Sequence, residues 1–465
     1  VTAPVRNPRS KRGSPTPSKP ADARTLAAGL LDALENRDAY ADQLLDGLWS
    51  RRPDADPRDR ALTTHLVYGV LRWRNGLDRV IEHAAERPTG KLSLGVLNLL
   101  RVGAYQLLHL DRIPASAAVH ATVEATRRRG FSHSAGLVNA VLRRVSAEGK
   151  DLPPPEDPIL RLALTCGLPV WLAALWTSEE GAEGAACLGG AAATIPPCVL
   201  RVDTRKTHRN DVIGRLGKDA SGGLCAYAPE GVWTEGGGDP RQIEAVRTGK
   251  AVVQSQASQL VAPYLAPPPG ARVLDACAAP GLKATHIARL MENRGEVTAL
   301  EIHPHRARAA EELARRLGFD SIRVVTADAT VYRDSAPFDA VLVDAPCSGL
   351  GVLAHTPEKK WRYAPADFDR FPPLQRALLE NAARAVAPGG TLVYATCTTV
   401  RSENEGLIAG FLDDHPEFRR AGPPPGFPAP DLCTREGDLK TFPRPTGGGP
   451  DRFLDGFYAA RLTRR

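Results

Sequence analysis

The stretch ARVLDACAAPGLKATHIARLMENRGEVTALEI, residues 271–302, decides the fold. A short apolar run ends in small residues and a glycine, an amphipathic period follows, and a second apolar run closes on an acid, which together spell strand, turn, helix, strand. The rhythm continues downstream through HRARAAEELARRLG, IRVVTAD, FDAVLVDAP, a helix around LQRALLENAARAVA, and TLVYATCT. Near-continuous apolar strands alternating with amphipathic helices predict a mostly parallel sheet covered on both faces, a doubly wound α/β domain. The closing FLDGFYAARL predicts one more strand, antiparallel at the edge.

Upstream the pattern changes. Residues 21–149 carry helical periods with almost no β-rich run (ARTLAAGLLDALEN, DRALTTHLVYGVLRW, SLGVLNLLRVGAYQLLHL, AAVHATVEATRR, AGLVNAVLRRVSAEG), which predicts an all-α bundle. KDLPPPEDP then breaks every regular element, so a boundary is expected there. Residues 150–250 read as a linker and a small α+β module, expected to bind RNA, with helices from PVWLAALW and HRNDVIGRLGK and a strand at PCVLRVD. The first 20 residues are rich in Pro, Ser, Arg and Lys and read as a disordered basic tail. The expected division is therefore 1–20, 21–149, 150–250 and 251–465.

The 465 residues suffice for several cores, and 43% hydrophobic with 24% charged residues is ordinary for a globular protein. No apolar run reaches bilayer length and no apolar stretch follows the N-terminal cations, so a cytoplasmic protein with no membrane partner is expected. Eight scattered cysteines without C-x-x-C spacing predict free thiols and no metal site. The net charge of +7 fits an acidic polymer as partner, with cations concentrated at Arg6, Arg9, Lys11, Arg12 and Lys19 and again at Arg127, Arg128, Arg129, Arg143 and Arg144. Such clusters also occur as plain solvated faces.

Open α/β sheets bind ligands at the carboxyl ends of their strands, so the strand ends are the candidate site. The first ends in DACAAPGLK, where Gly281 permits a tight turn and Lys283 enters a helix whose N-terminal N–H groups suit an anion. Glu301 closes the second strand, where a nucleoside enzyme places an acid on ribose hydroxyls. Asp328 closes the third, suited to an adenine amino group or to capping a helix. Asp344 and Cys347 close the fourth, and Cys397 the fifth. Adjacent parallel strand ends lie about 5 Å apart, so both thiols can face one pocket.

A buried cysteine is ordinarily packing. Two at a nucleoside-binding edge suggest chemistry instead. A thiolate adding to carbon 6 of a pyrimidine makes carbon 5 nucleophilic toward an electrophilic methyl group, and a second titratable group then helps remove the proton and eliminate the thiol. Asp344 suits hydrogen bonding to N3 and the exocyclic amine of cytosine. On residue physics alone either cysteine serves as nucleophile.

With DACAAPGLK, DAPCSGLG running into HTPEKKW, YATCT and DGFYAARL in place, the chain resembles the Sun family of RNA cytosine-5 methyltransferases. The resemblance is closest to its branch that acts on small-subunit (16S) ribosomal RNA. The helical region, through DRALTTHLVYGVLR, LLRVGAYQLLHLDRIP and LVNAVLRR, is similar to the RNA-binding antiterminator NusB. The resemblance implies a Rossmann-like class I methyltransferase domain with a seven-stranded sheet, S-adenosyl-L-methionine as cofactor, 16S ribosomal RNA rather than DNA as partner, and a monomer. It implies a cofactor site of Cys277, Ala278, Ala279, Pro280, Gly281, Leu282, Lys283, Glu301, Asp328 and Asp344, with Cys397 as nucleophile and Cys347 assisting product release. The contrasting reading is a non-catalytic RNA-binding or ribosome assembly factor with a decayed methyltransferase fold. Three places depart from the family pattern: Leu282 stands where a second glycine is usual, Ala284 where a hydroxyl residue is, and Ala354 with His355 where paired basic residues are common.

Overall fold

A computed structural model describes residues 22–36, 39–443 and 449–465. The basic tail and its cations lie outside the described residues. The described residues divide into two compact units, one within residues 22–70 and 78–152, the other within residues 71–77 and 153–465.

The first unit is helical: α1 (Ala23–Asn36), α2 (Ala41–Ser50), α3 (Pro57–Ala85), α4 (Leu94–His109), α5 (Ala115–Arg128) and α6 (Ala135–Glu148). Residues 71–77 of α3 cluster with the second unit. Asp56 caps α3 by accepting from Arg58 N, and Pro57 fills its first position, where no N–H partner is needed. The helix α4 is buried without a break from Gly95 to Gln106, so it forms the centre of the bundle. Within it Arg101 is 2% exposed and forks onto Asp78 at 2.7 and 2.8 Å, with further bonds to Glu35 and Asn98 at 2.8 Å.

The arginine cluster at the end of this bundle is largely neutralised. Arg127 pairs with Glu124, Arg128 with Asp22 at 2.6 Å, Arg129 with Asp32 at 2.7 Å, and Arg144 with Glu86 and, at 3.0 Å, Glu148. Acids distant in sequence supply most of these partners. Arg143 is exposed.

The second unit opens with α7 (Pro158–Thr165) and α8 (Val170–Ala193), followed by β1 (Cys198–Val202), α9 (Arg209–Gly214), β2 (Ala220–Leu224), β3 (Gly231–Gly236), α10 (Glu244–Arg247) and β4 (Ala251–Val253). These strands form an antiparallel sheet in the order β2-β3-β1-β4. The large sheet takes β5 (Arg272–Asp275), β6 (Glu296–Glu301), β7 (Ile322–Thr326), β8 (Phe338–Asp344), β9 (Val386–Thr396), β10 (Phe418–Arg420), β11 (Leu439–Thr441) and β12 (Phe457–Arg464). Seven strands run in the order β10-β12-β9-β8-β5-β6-β7, and short β11 makes an eighth by pairing on β12. β5 through β9 are parallel, and β12 runs antiparallel to β9.

Alternate strand residues feed opposite cores, as the pleat requires. Val273, Leu342 and Val393 pack with α11 (Gln256–Leu265) and α12 (Leu282–Leu290), and Leu317 of α13 (Pro304–Leu317) joins them. Leu274, Val341, Val343 and Tyr394 pack with α15 (Phe371–Ala385) and α16 (Glu405–Asp414) on the other face. The short α14 (Lys359–Arg362) lies in the β8–β9 connection. After β5 the chain builds outward through β6 and β7, then returns to the other side of β5 with β8, so the order reverses between β5 and β8.

The buried Arg101 fork sets a measurable expectation. Arg101→Met leaves Asp78 and Glu35 without their cation and lowers the stability of the helical unit by about 3–5 kcal/mol, read as a shifted midpoint in chemical denaturation.

Candidate active site at the strand ends

At the reversal point β5 runs into the turn 276–281. Ala276 N donates to Leu342 O at 2.9 Å and Ala278 N to Leu300 O at 2.8 Å, so the turn is held from both neighbouring strands. Gly281 has φ +98°, a left-handed conformation that a side chain would strain, and a Cβ there would lie 3.3 Å from Ala310 on α13. α12 begins immediately after it with no side-chain cap on its first N–H groups.

Both carboxylate oxygens of the fully buried Asp275 lack a partner among the described residues, and burial, reinforced by Asp344, pushes its pKa up to about 7. Lys283 Nζ lies 2.6 Å from Asp344 Oδ2. Burial opposes the charge on Lys283, and Asp344 more than restores it. Glu301 is buried, with one oxygen accepting from His303 N at 2.9 Å and the other 3.4 Å from Arg306. Asp328 is exposed and accepts from Thr330 N and Oγ1 at 2.8 and 2.7 Å, which gives it the local turn-capping contacts. Exposed apolar Ile302 and Val331 follow these two acids. The Cys277 side chain packs toward the α15 face, and burial raises its thiol pKa. An uncapped helix start, an unpartnered buried carboxylate and exposed apolar residues beside strand-end acids fit a nucleoside with an amino-acid tail.

Leu282 turns its side chain into the core cluster with α11 and α12, and Ala284 is buried in the same cluster. At Ala354, the backbone oxygen accepts from Arg72 at 2.8 Å, while His355 Nε2 sits 3.3 Å from the buried Asp455. Burial works against the charged form of His355, and Asp455 overcomes it, so its pKa rises.

The two strand-end thiols do converge: Cys347 Sγ lies 3.4 Å from Cys397 Sγ. The registry behind this is Asp344 opposite Ala395 on β8 and β9, extended by Ala345 N to Ala395 O at 2.9 Å and Gly351 N to Cys397 O at 3.0 Å. A second set of residues fixes the loops that follow. Ser348 Oγ and Thr398 Oγ1 share a 2.6 Å hydrogen bond. Glu403, wholly buried, accepts from Ser348 N at 3.0 Å and from Gln375 at 2.8 Å, and Asn404 bridges Thr396 at 2.6 Å and Thr398 O at 3.0 Å. These residues escaped the strand-end reading. Their signal in the sequence is the polar cluster SENE that follows YATCT.

The surroundings of the two sulfurs differ. The hydrogen bond from Cys347, then Lys359 and Lys283, pull the Cys397 thiol down to about 7 against burial and Asp344. The same contact, burial and the carboxylate of Glu403 push Cys347 up. Lys283 favours and Asp344 opposes a thiolate at Cys397, while Glu403 opposes one at Cys347. Cys166, Cys187, Cys198, Cys225 and Cys433 are free thiols elsewhere in the structure. Among the described residues, no His/Cys/Asp/Glu group could hold a metal ion, and no single helix is long and apolar enough to cross a membrane.

Residues 262–463 match the family described as 16S rRNA methyltransferase RsmB/F, and residues 21–147 match the NusB family. A Bacillus subtilis relative, named "Probable ribosomal RNA small subunit methyltransferase B", is 34% identical over 96% of this chain and 100% of its own length. The chain belongs to the RsmB/F family of 16S rRNA methyltransferases. Ribosomal RNA small subunit methyltransferase B of Pseudomonas putida is 34% identical over 88% of this RsmB/F chain and 91% of its own. The crystal structure of PH0851 superposes with TM-score 0.78 at 25% identity, covering 96% of this chain and 99% of that one. A methyltransferase homologue from Pyrococcus horikoshii gives TM-score 0.55 at 26% identity over 67% and 100%. This RsmB/F member is thus an S-adenosylmethionine-dependent methyltransferase with a NusB-type helical region and a Rossmann-like catalytic fold.

The thiol asymmetry can be read directly. Only thiolate reacts with iodoacetamide, so alkylation of Cys397, located by mass spectrometry, rises through about pH 7 and levels off, whereas an ordinary thiol near 8.5 still climbs. Removing the cation with Lys283→Met moves that midpoint upward.

Proposed function

We propose that this protein methylates carbon 5 of a cytosine in 16S ribosomal RNA through a covalent adduct between Cys397 and carbon 6 of the base. The observation that carries the reading is the 3.4 Å approach of Cys347 and Cys397 at neighbouring strand ends, beside the Lys283–Asp344 pair. An aromatic ring carbon is a poor nucleophile, and addition of a thiolate at carbon 6 is what makes carbon 5 reactive. The lowered pKa of Cys397 supplies that thiolate near neutrality.

The steps follow from the residues. The target base leaves its stack to reach the strand ends. Asp344, held by Lys283, accepts a hydrogen bond from the exocyclic amine of cytosine, and a second from N3 once the charge that develops on addition is met by a proton on that nitrogen. Cys397 attacks carbon 6. Bound S-adenosylmethionine would supply the electrophilic methyl group, which carbon 5 takes as S-adenosylhomocysteine leaves. A base then takes the carbon 5 proton and Cys397 is expelled, with Cys347, kept protonated by its surroundings, assisting release. Cys277 through Lys283, Glu301, Asp328 and Asp344 would hold the cofactor, the uncapped N–H groups at the start of α12 suiting its carboxylate and Glu301 its ribose hydroxyls.

Residues 21–149 serve as the RNA-binding region, acting in the cytoplasm where ribosomal RNA is assembled. Because Arg127, Arg128, Arg129 and Arg144 are already paired with acids, phosphate contacts there compete with those ion pairs and weaken steeply with salt.

Incubation with S-adenosylmethionine and unmodified 16S RNA yields 5-methylcytosine at one position. Cys397→Ala abolishes it, and Cys347→Ala accumulates a protein–RNA adduct that survives denaturing gels. An adduct with Cys397→Ala and none with Cys347→Ala reverses the two roles. Asp344→Asn lowers kcat by about 10²–10³-fold while the protein stays folded.

A further inference from the structure

Arg201, on β1 of the small antiparallel sheet, is 5% exposed and points its guanidinium at the start of α12. One nitrogen donates to Gln254 Oε1 and to Leu282 O, both at 2.7 Å, and another donates to Thr285 Oγ1 at 2.9 Å. The Thr285 hydroxyl in turn bonds Gly281 O at 2.8 Å and Leu282 O at 3.0 Å. The two carbonyls of the cofactor turn are therefore gripped from one side by a buried arginine and the threonine it orients.

A peptide unit is planar and trans, so its C=O and N–H point in opposite directions. The plane that carries Gly281 C=O carries Leu282 N–H, and the plane of Leu282 C=O carries Lys283 N–H. Fixing the two carbonyls from the Arg201 side aims those two N–H groups the other way. They are the first, uncapped donors of α12.

A buried guanidinium whose direct acceptors here are an amide, a carbonyl and a hydroxyl is costly to keep, since its nearest carboxylates, Glu230 and Asp203, make no direct bond to it. Packing alone is better served by an apolar side chain of that volume. The neighbouring residues close the same seam: Thr204 accepts from Arg289 at 2.7 Å, Arg205 stacks over Phe319 at 4.1 Å, and Lys206 donates to Leu317 O at 2.8 Å. The segment RVDTRK, residues 201–206, thus ties the small sheet to α12 and to the end of α13.

We propose that Arg201 is a positioning residue for the methyl donor: it sets the Gly281–Leu282 turn so that the Leu282 and Lys283 amides meet the donor's carboxylate. The small sheet then belongs functionally to the cofactor site, in addition to any contact it makes with RNA. This rests on the cofactor assignment to residues 277–283.

The test is calorimetric titration of the full-length protein with S-adenosylhomocysteine, alongside filter binding of unmodified 16S RNA and thermal melts. Losing a charge-assisted bond to the turn weakens S-adenosylhomocysteine binding about tenfold or more in Arg201→Met. Arg201→Lys recovers part of that loss, and Thr285→Val loses a comparable amount. The double variant Arg201→Met/Thr285→Val is no weaker than Arg201→Met alone, because the two act on one turn. RNA affinity stays within about twofold, and at saturating donor kcat recovers while KM for the donor stays raised. Wild-type affinity in Arg201→Met, or in both Arg201→Lys and Thr285→Val should Arg201→Met not fold, overturns the proposal. So does loss of RNA binding with donor affinity intact. Failure of the unsubstituted protein to bind S-adenosylhomocysteine overturns the cofactor assignment itself.

Discussion

Lys283 and Asp344 meet at 2.6 Å across the point where the strand order of the large sheet reverses, and both chemical halves of the site depend on that contact. Lys283 belongs to the helix that follows the turn after β5, while Asp344 ends the strand that leads to Cys347. Neither charge is well placed without the other, because each sits where water is largely excluded and an unpaired ion is expensive. At Cys397 the two charges of the pair oppose each other, Asp344 disfavouring the thiolate and Lys283 favouring it.

The thiol contact needs more than two adjacent strands. Parallel pairing brings the backbones to about 5 Å, but the sulfurs reach 3.4 Å only because the loops beyond them are tied down. Ser348 with Thr398, Glu403 with Gln375 and the Ser348 amide, and Asn404 with its two threonine contacts form that scaffold. It is buried and polar, and such networks hold geometry well when most of their members are satisfied.

Departures from the family pattern find local explanations. Leu282 replaces an expected glycine at a helix start and is absorbed by the core around α11 and α12. The left-handed residue of the turn is Gly281, one position earlier, so no side chain is forced into a strained backbone. His355, in place of a basic side chain, has its pKa raised by Asp455 against the effect of burial. The arginine cluster of the helical unit looks cationic in one dimension and is largely neutralised in three, by acids as far away in sequence as Asp22 and Asp32.

Read as a bare string, the sequence shows the strand and helix rhythm, the all-α character of the helical region and the placement of Asp344, Cys347 and Cys397 at strand ends. Those features are local or periodic, and hydrophobic spacing records them directly. It missed α2, the eighth strand β11 and the extension of α3 to Ala85, which are short or continue past the clearest apolar period. Folding in three dimensions gives the two thiols different surroundings, fastens the loops through Glu403 and Asn404, and brings Arg201 to a turn some 80 residues further along the chain. Those outcomes depend on burial and on partners brought together by strand order, and a one-dimensional pattern holds neither distance nor dielectric environment.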